Sequence, residues 1–131
     1  MTANRARGIL YLPPMKIVVT NNPMVREKVL GQEVEFHETD CMGVFKAVRD
    51  RVHLGHELLT HPLSGSVKPG ETPYKTVLVT GEKGPLDEQS LFIIEDSIQT
   101  CEKLKPSIMK KDWSAKILAD FQLIDYNLIF G

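Results

Sequence analysis

The sequence predicts one α/β domain in which helices cover both faces of a mostly parallel sheet of about four strands. Three observations predict it: short β-branched runs alternate with helical patterns, turn signals separate them, and 131 residues are the length of one ordinary domain. The first strand is MKIVVT at 15–20, apolar without polar alternation and bounded by Asn21-Asn22-Pro23, the pattern of a buried strand ending in a turn. Pro23 suits the first helical position with Asn22 as N-cap, so a helix follows through Val25 and Val29 and stops at Gly31. EVEFHE at 33–38 alternates polar with apolar residues, as an edge strand does. Thr39 or Asp40 caps a second helix with Val44, Phe45, Val48 and Val52 as its stripe and Gly55 as its stop.

Residues 56–60 read as a weak third strand and TVLVT at 76–80 as a stronger fourth. Over 86–104, Leu91, Ile94, Ile98 and Cys101 recur at helical spacing, with Pro106 beyond the end. Asp112 caps a last helix whose apolar stripe is Trp113, Ile117, Phe121, Ile124 and Leu128, while Lys116, Asp120 and Asn127 face solvent. Parallel strands require crossover helices, so this alternation gives a Rossmann-like three-layer sandwich over residues 15–131. Residues 1–14 differ from the rest and read as a flexible extension.

Composition removes several function classes. With 42% hydrophobic and 25% charged residues the chain has a globular balance, and it contains no run of the ~20 apolar residues that span a bilayer. The apolar stretch at 9–12 is shorter than the ~7–15 residues of a secretory core, so the expected compartment is the cytoplasm. A net charge of −1, with aromatics not interleaved among basic clusters, argues against nucleic-acid binding. Cys41 and Cys101 lack CxxC spacing, which leaves no zinc or disulfide framework. Neither a P-loop nor a dinucleotide turn is present, and no cofactor is expected.

The long loop HPLSGSVKPGETPYK at 61–75 is the unusual feature, because connections in compact domains commonly run ~2–6 residues. Its three prolines fix φ and preorganise it. In open α/β sheets ligands bind beyond the carboxyl ends of the strands, which is where Asn21-Asn22, Thr39-Asp40 and His61 onward all fall. Ser64, Gly65 and Ser66 offer hydroxyls and backbone N–H groups, and Lys68 a cation, so a phosphate or carboxylate could be cradled. The candidate ligand-binding residues are Asn21, Asn22, His61, Ser64, Gly65, Ser66, Lys68, Thr72, Tyr74 and Lys75. His61 is the candidate acid or base if a reaction is catalysed, with a local hydrogen bond as the plainer reading.

Other chemistry-bearing residues have simpler readings. Cys41 near a helix start could be a thiolate, but without a visible partner it reads as a packed cysteine. His53 and His56 flank Gly55 without further ligands, so they read as an exposed helix terminus where protonated histidine complements the dipole rather than as a metal site. The Glu95-Asp96 doublet inside LFIIEDSI reads as an exposed flank.

KIVVTNNP at 16–23 together with LLTHPLSGSVKPGETPYKTVLV at 58–79 resembles the GrdX family, small proteins encoded beside glycine, sarcosine and betaine reductase genes of amino-acid-fermenting anaerobic bacteria. The resemblance implies a cytoplasmic accessory of that reductase system. It carries over no catalytic residue. Three functions follow as expectations: a binding module holding a small anionic metabolite, an enzyme using His61, or an assembly partner of glycine/betaine reductase components with Tyr74 and Leu63 as anchors.

Overall fold

The computed structural model describes residues 15–64, 72–109 and 112–131. Along the chain come β1 (Lys16–Thr20), α1 (Pro23–Lys28), β2 (Glu33–Phe36), α2 (Cys41–His53), β3 (Thr76–Thr80), α3 (Glu88–Met109) and α4 (Ala115–Phe130). β1 is central because its apolar run is buried on both faces. Ile17 and Val19 pack beneath α2 and α3 with Phe45, Val48, Val77, Ile94 and Ile98. Val18 faces the other layer, where Val25, Leu78, Tyr126, Ile129 and Phe130 gather from α1, β3 and α4.

The expected sheet of about four mostly parallel strands is corrected. Among the described residues the sheet has three strands in the order β2-β1-β3. β1 runs parallel to β2, with Val18 opposite Val34, and antiparallel to β3, with Val18 opposite Leu78. The Rossmann-like reading fails on β3. A parallel partner for β1 needs a crossover helix, and residues 54–75 contain none among those described, so β3 returns in the opposite direction. Residues 56–60 lie along the outer edge of β3 but form a single antiparallel bridge, Leu58 to Val79. The Thr80 N–H donates to Glu57 and the Leu59 N–H to Leu78, after which the Thr60 hydroxyl accepts the Leu78 N–H and ends the ladder.

The helix termini follow local chemistry. Asn22 caps α1 by accepting the Met24 N–H, and Pro23 occupies the first turn. Asp40 caps α2 by accepting the Gly43 N–H. Gly55 leaves α2 at φ +107, and a Cβ there would stand 2.2 Å from the Gly84 carbonyl oxygen, so both conformation and space demand glycine. Asp87 accepts the Ser90 N–H at the start of α3. That helix continues through Pro106 to Met109 rather than stopping before it; the proline withholds one N–H from the Glu102 carbonyl within the last turns. Ser114, not Asp112, caps α4.

The predicted stripe of α4 does not face the core. Ile117, Ile124 and Leu128 are 43%, 50% and 49% exposed, whereas Asp125 is the helix's buried residue. Asp125 is turned inward by the Thr76 hydroxyl on β3 and the amide of Asn22, the N-cap of α1. No helix among the described residues is long and apolar enough to cross a membrane.

Candidate functional site

The carboxyl ends of β1 and β2 and the start of β3 meet at one edge of the sheet, and a buried polar cluster forms there. Asn21 ties the edge together. Its amide donates to the Thr39 carbonyl at 2.8 Å and the Pro73 carbonyl at 2.8 Å, and its Oδ1 accepts the Lys75 N–H at 2.9 Å. Asn22 donates to the Gln122 carbonyl at 2.9 Å and to Asp125 Oδ2 at 3.0 Å, while its Oδ1 caps α1. Both asparagines therefore spend their amide donors on the fold.

A hydroxyl chain runs under them. Thr76 donates to Asp125 Oδ2 at 2.6 Å, and the Thr20 hydroxyl lies 2.8 Å from that of Thr76. Burial raises the Asp125 carboxyl above its ordinary value, although the hydrogen bonds from Thr76 and Asn22 and the charge of Lys75 pull the other way. Lys75 is 4% exposed. Its Nζ donates to the Ser64 carbonyl at 3.4 Å and enters no ion pair among the described residues. Burial lowers this amine, with Cys41, Asp125 and Cys101 acting in the opposite sense.

Cys41 completes the cluster from the start of α2. Burial pushes its thiol up to about 12, so the group stays protonated and donates to the Thr72 carbonyl at 3.4 Å. The helix N-terminus does not make it a thiolate because desolvation dominates.

Between the loop and α4 lies a cavity of about 20 Å³, lined by Ser64, Thr72, Tyr74 and Lys75 on one side and by Ile124, Asp125 and Leu128 on the other. That volume holds about one water, so only the head of a ligand enters, and the half-exposed Ile124 and Leu128 form the outer wall. The Tyr74 hydroxyl accepts from Gln122 Nε2 at 3.0 Å, which leaves its own proton to donate. Two larger clefts, of about 680 and 400 Å³, lie at the opposite edge and adjoin Met15.

The sequence-predicted residues divide accordingly. Ser64, Thr72, Tyr74 and Lys75 line the cavity; Asn21 and Asn22 brace it from within. His61 is exposed, its Nδ1 accepts the Leu63 N–H at 3.0 Å, and it does not line the cavity. Leu63 packs against the core instead of standing out as an anchor. Gly65, Ser66 and Lys68 lie outside the described residues. His53 is exposed as expected, but the exposed-terminus reading fails for His56, which is buried with its Nδ1 2.6 Å from the Thr80 carbonyl oxygen; no cluster suited to a metal occurs among the described residues. Glu95 pairs with Arg49 at 3.5 Å and Asp96 is exposed, as a solvated flank should be.

Sequence reasoning missed Asp125 and Gln122. The signal for Asp125 was a lone acid within LIDYNLIF, an apolar stretch where a carboxylate needs a reason.

No curated protein and no solved structure matches this chain. A family model described as GrdX-like protein matches residues 17–131, which takes in every strand and helix from β1 onward except the first residue of β1. On that match the chain belongs to the GrdX-like protein family.

Proposed function

We propose that this GrdX-like chain is a cytoplasmic binding module of the glycine/betaine reductase system, and that it holds a small anionic metabolite at the cavity between the 61–75 loop and α4. The observation that carries this reading is Lys75, a buried amine beside a cavity with no ion pair among the described residues. A buried ammonium is costly without an anion, and a ligand carboxylate or phosphate would supply one. Tyr74 adds a second donor, and Asn21 holds the Lys75 backbone in place. The system assignment rests on the resemblance of the KIVVTNNP and 58–79 segments to proteins encoded beside those reductases.

The test is thermal unfolding of the wild type and Lys75→Met in acetate, phosphate, acetyl phosphate, glycine and betaine. A ligand at 100 times its dissociation constant stabilises the folded state by about 2.7 kcal/mol. At least one compound should raise the melting temperature of the wild type and leave Lys75→Met unmoved. Equal shifts in both proteins, or none in either, would overturn the proposal.

A protein partner is the second reading, favoured by the half-exposed Ile117, Ile124 and Leu128 on α4. Loss of co-purification with reductase components in Leu128→Glu, with the melting temperature preserved, would support it; unchanged co-purification would place the contact elsewhere.

A further inference from the structure

We propose that Lys75 captures a small 2-oxo acid covalently, as an imine on its Nζ. The inference rests on the cavity being a ligand site and adds the class of ligand and the bond that holds it. Imine formation requires an amine with an available lone pair, an acid to protonate the departing oxygen, and exclusion of bulk water afterwards. The first two requirements meet in the cavity, and a bound ligand would supply the third by filling its mouth. Lys75 reaches it from the residue before β3, Asp125 and Tyr74 line it, and the half-exposed Ile124 and Leu128 form its outer wall.

Among the described residues the amine enters no ion pair, and its hydrogen bond goes to a neutral carbonyl, that of Ser64, at 3.4 Å. Burial acts on both partners in the useful direction, lowering the amine of Lys75 and raising the carboxyl of Asp125. Desolvated lysines of this kind are nucleophiles towards carbonyl carbon. Asp125 is positioned for proton transfer by Thr76 at 2.6 Å and Asn22 at 3.0 Å, both on the oxygen Oδ2.

The reaction balances without an oxidant or reductant. The Nζ lone pair forms the C–N bond while the carbonyl π pair moves to oxygen, which takes a proton from Asp125 or Tyr74. The nitrogen returns one proton to that group, giving a carbinolamine. A second proton transfer to the hydroxyl expels water as the nitrogen lone pair forms C=N, and release of the remaining N–H proton to the same group restores the acid and gives the neutral imine. The net change is amine plus carbonyl to imine plus water. Protonated, the imine keeps a positive charge for the ligand's own carboxylate, which is why a 2-oxo acid fits better than a simple aldehyde. Room for about one water limits the buried part to the carbonyl carbon and its oxygen, so two- and three-carbon acids are favoured, with their remaining atoms directed past Ile124 and Leu128.

The experiment incubates the full chain with pyruvate or glyoxylate and sodium cyanoborohydride, followed by intact mass measurement and peptide mapping. One reduced adduct on the peptide carrying Lys75 is expected, formed at least 10-fold faster than on any other lysine. Lys75→Arg should lose that adduct, and Asp125→Asn should slow it about 10-fold or more. Adducts spread over surface lysines with Lys75 no faster than the rest would overturn the proposal, and because this is read in wild-type protein it does not depend on a variant folding. Lactate and glycolate, which lack the carbonyl, separate the two readings. Thermal stabilisation by lactate with no pyruvate adduct at Lys75 would leave the anion site standing and remove the imine; no stabilisation by either acid and no adduct would remove both.

Discussion

Two polar clusters of similar size lie on this small sheet, and their charges are handled in opposite ways. At the outer edge of β2, Arg51 reaches Glu35 at 2.6 Å and Glu33 at 3.3 Å, and His37 lies 2.6 Å from the other oxygen of Glu35. Burial works against the Glu35 charge, yet hydrogen bonds from His37 and Arg51 and the Arg51 charge hold its carboxyl below the usual value. At the carboxyl edge of β1, burial wins: Lys75 and Asp125 both shift towards their neutral forms. A paired, partly wet cluster stabilises an exposed sheet edge against unwanted strand pairing. An enclosed cluster whose amine has no ion pair among the described residues is poised for something that is not part of the fold.

The largest effect should come from removing the brace of the enclosed cluster. Asn21→Ala leaves the buried Lys75 N–H without its acceptor and takes the donor from the half-buried Pro73 carbonyl and the exposed Thr39 carbonyl. An unsatisfied buried group costs about 1–3 kcal/mol, so a loss of about 2 kcal/mol or more is expected. Urea unfolding should show a lower midpoint with an unchanged slope. A loss below about 1 kcal/mol would mean that water reaches this edge and that the two clusters differ less than their geometry says.

Breaking the β2 cluster should cost less. Arg51 and Glu35 are each 23% exposed at their side chains, so screening discounts their hydrogen bonds, and Arg51→Met should lose about 1 kcal/mol. The pH dependence has a definite sign. Glu35 has a folded value below its unfolded 4.5, so its contribution is present above 4.5 and is lost as pH falls through the lower folded value. Acid titration of stability should therefore be shallower in Arg51→Met than in wild type; parallel curves would show that Arg51 does not support this charge.

Much of this contrast was partly legible in the sequence. Asn22 before Pro23, Asp40 before the α2 stripe and the alternation of EVEF announced their local structures, because caps and periodicity act over a few residues. Pro73 and Lys75, at the end of the long loop, lie beside Asn21, whose amide also reaches Thr39 after β2. The direction of β3 was not read, although a span of loop without a crossover helix before residue 76 held the clue. The face of α4 could not be read from periodicity. Apolar residues occur almost all round that helix, and what selects its inward side is Asp125 meeting Thr76 and Asn22, about a hundred residues from the latter.

Asp125 gives the enclosed cluster a pH signature opposite to that of Glu35. Its folded value lies above the unfolded 3.8, so the protonated form is favoured by folding; the stability it gives is complete below 3.8 and is lost as pH rises through the folded value. Asp125→Asn keeps an oxygen to accept from Thr76 and Asn22 and cannot ionise. The variant should therefore gain on wild type as pH rises from 4 towards neutrality, measured as the difference between their unfolding free energies. A difference that shrinks over this range would show that the carboxylate, not the acid, is the form the fold prefers.

The smallest effect on stability, and the sharpest probe of dryness, belongs to Cys41. Burial pushes its thiol up to about 12, so at pH 8 the group stays protonated and donates to the Thr72 carbonyl. A thiol reagent at pH 8, read by peptide mapping so that Cys41 and Cys101 are scored separately, should modify Cys41 only as fast as the protein opens, and the rate should climb with added urea. Exposed residues on the β2 edge offer no such protection, because water already reaches their charges. Rapid modification of Cys41 at a rate indifferent to urea would put water and a thiolate inside the enclosed cluster. Lys75 would then have a solvated anion beside it, and the distinction between a paired, wet edge and a dry, enclosed cluster would fall.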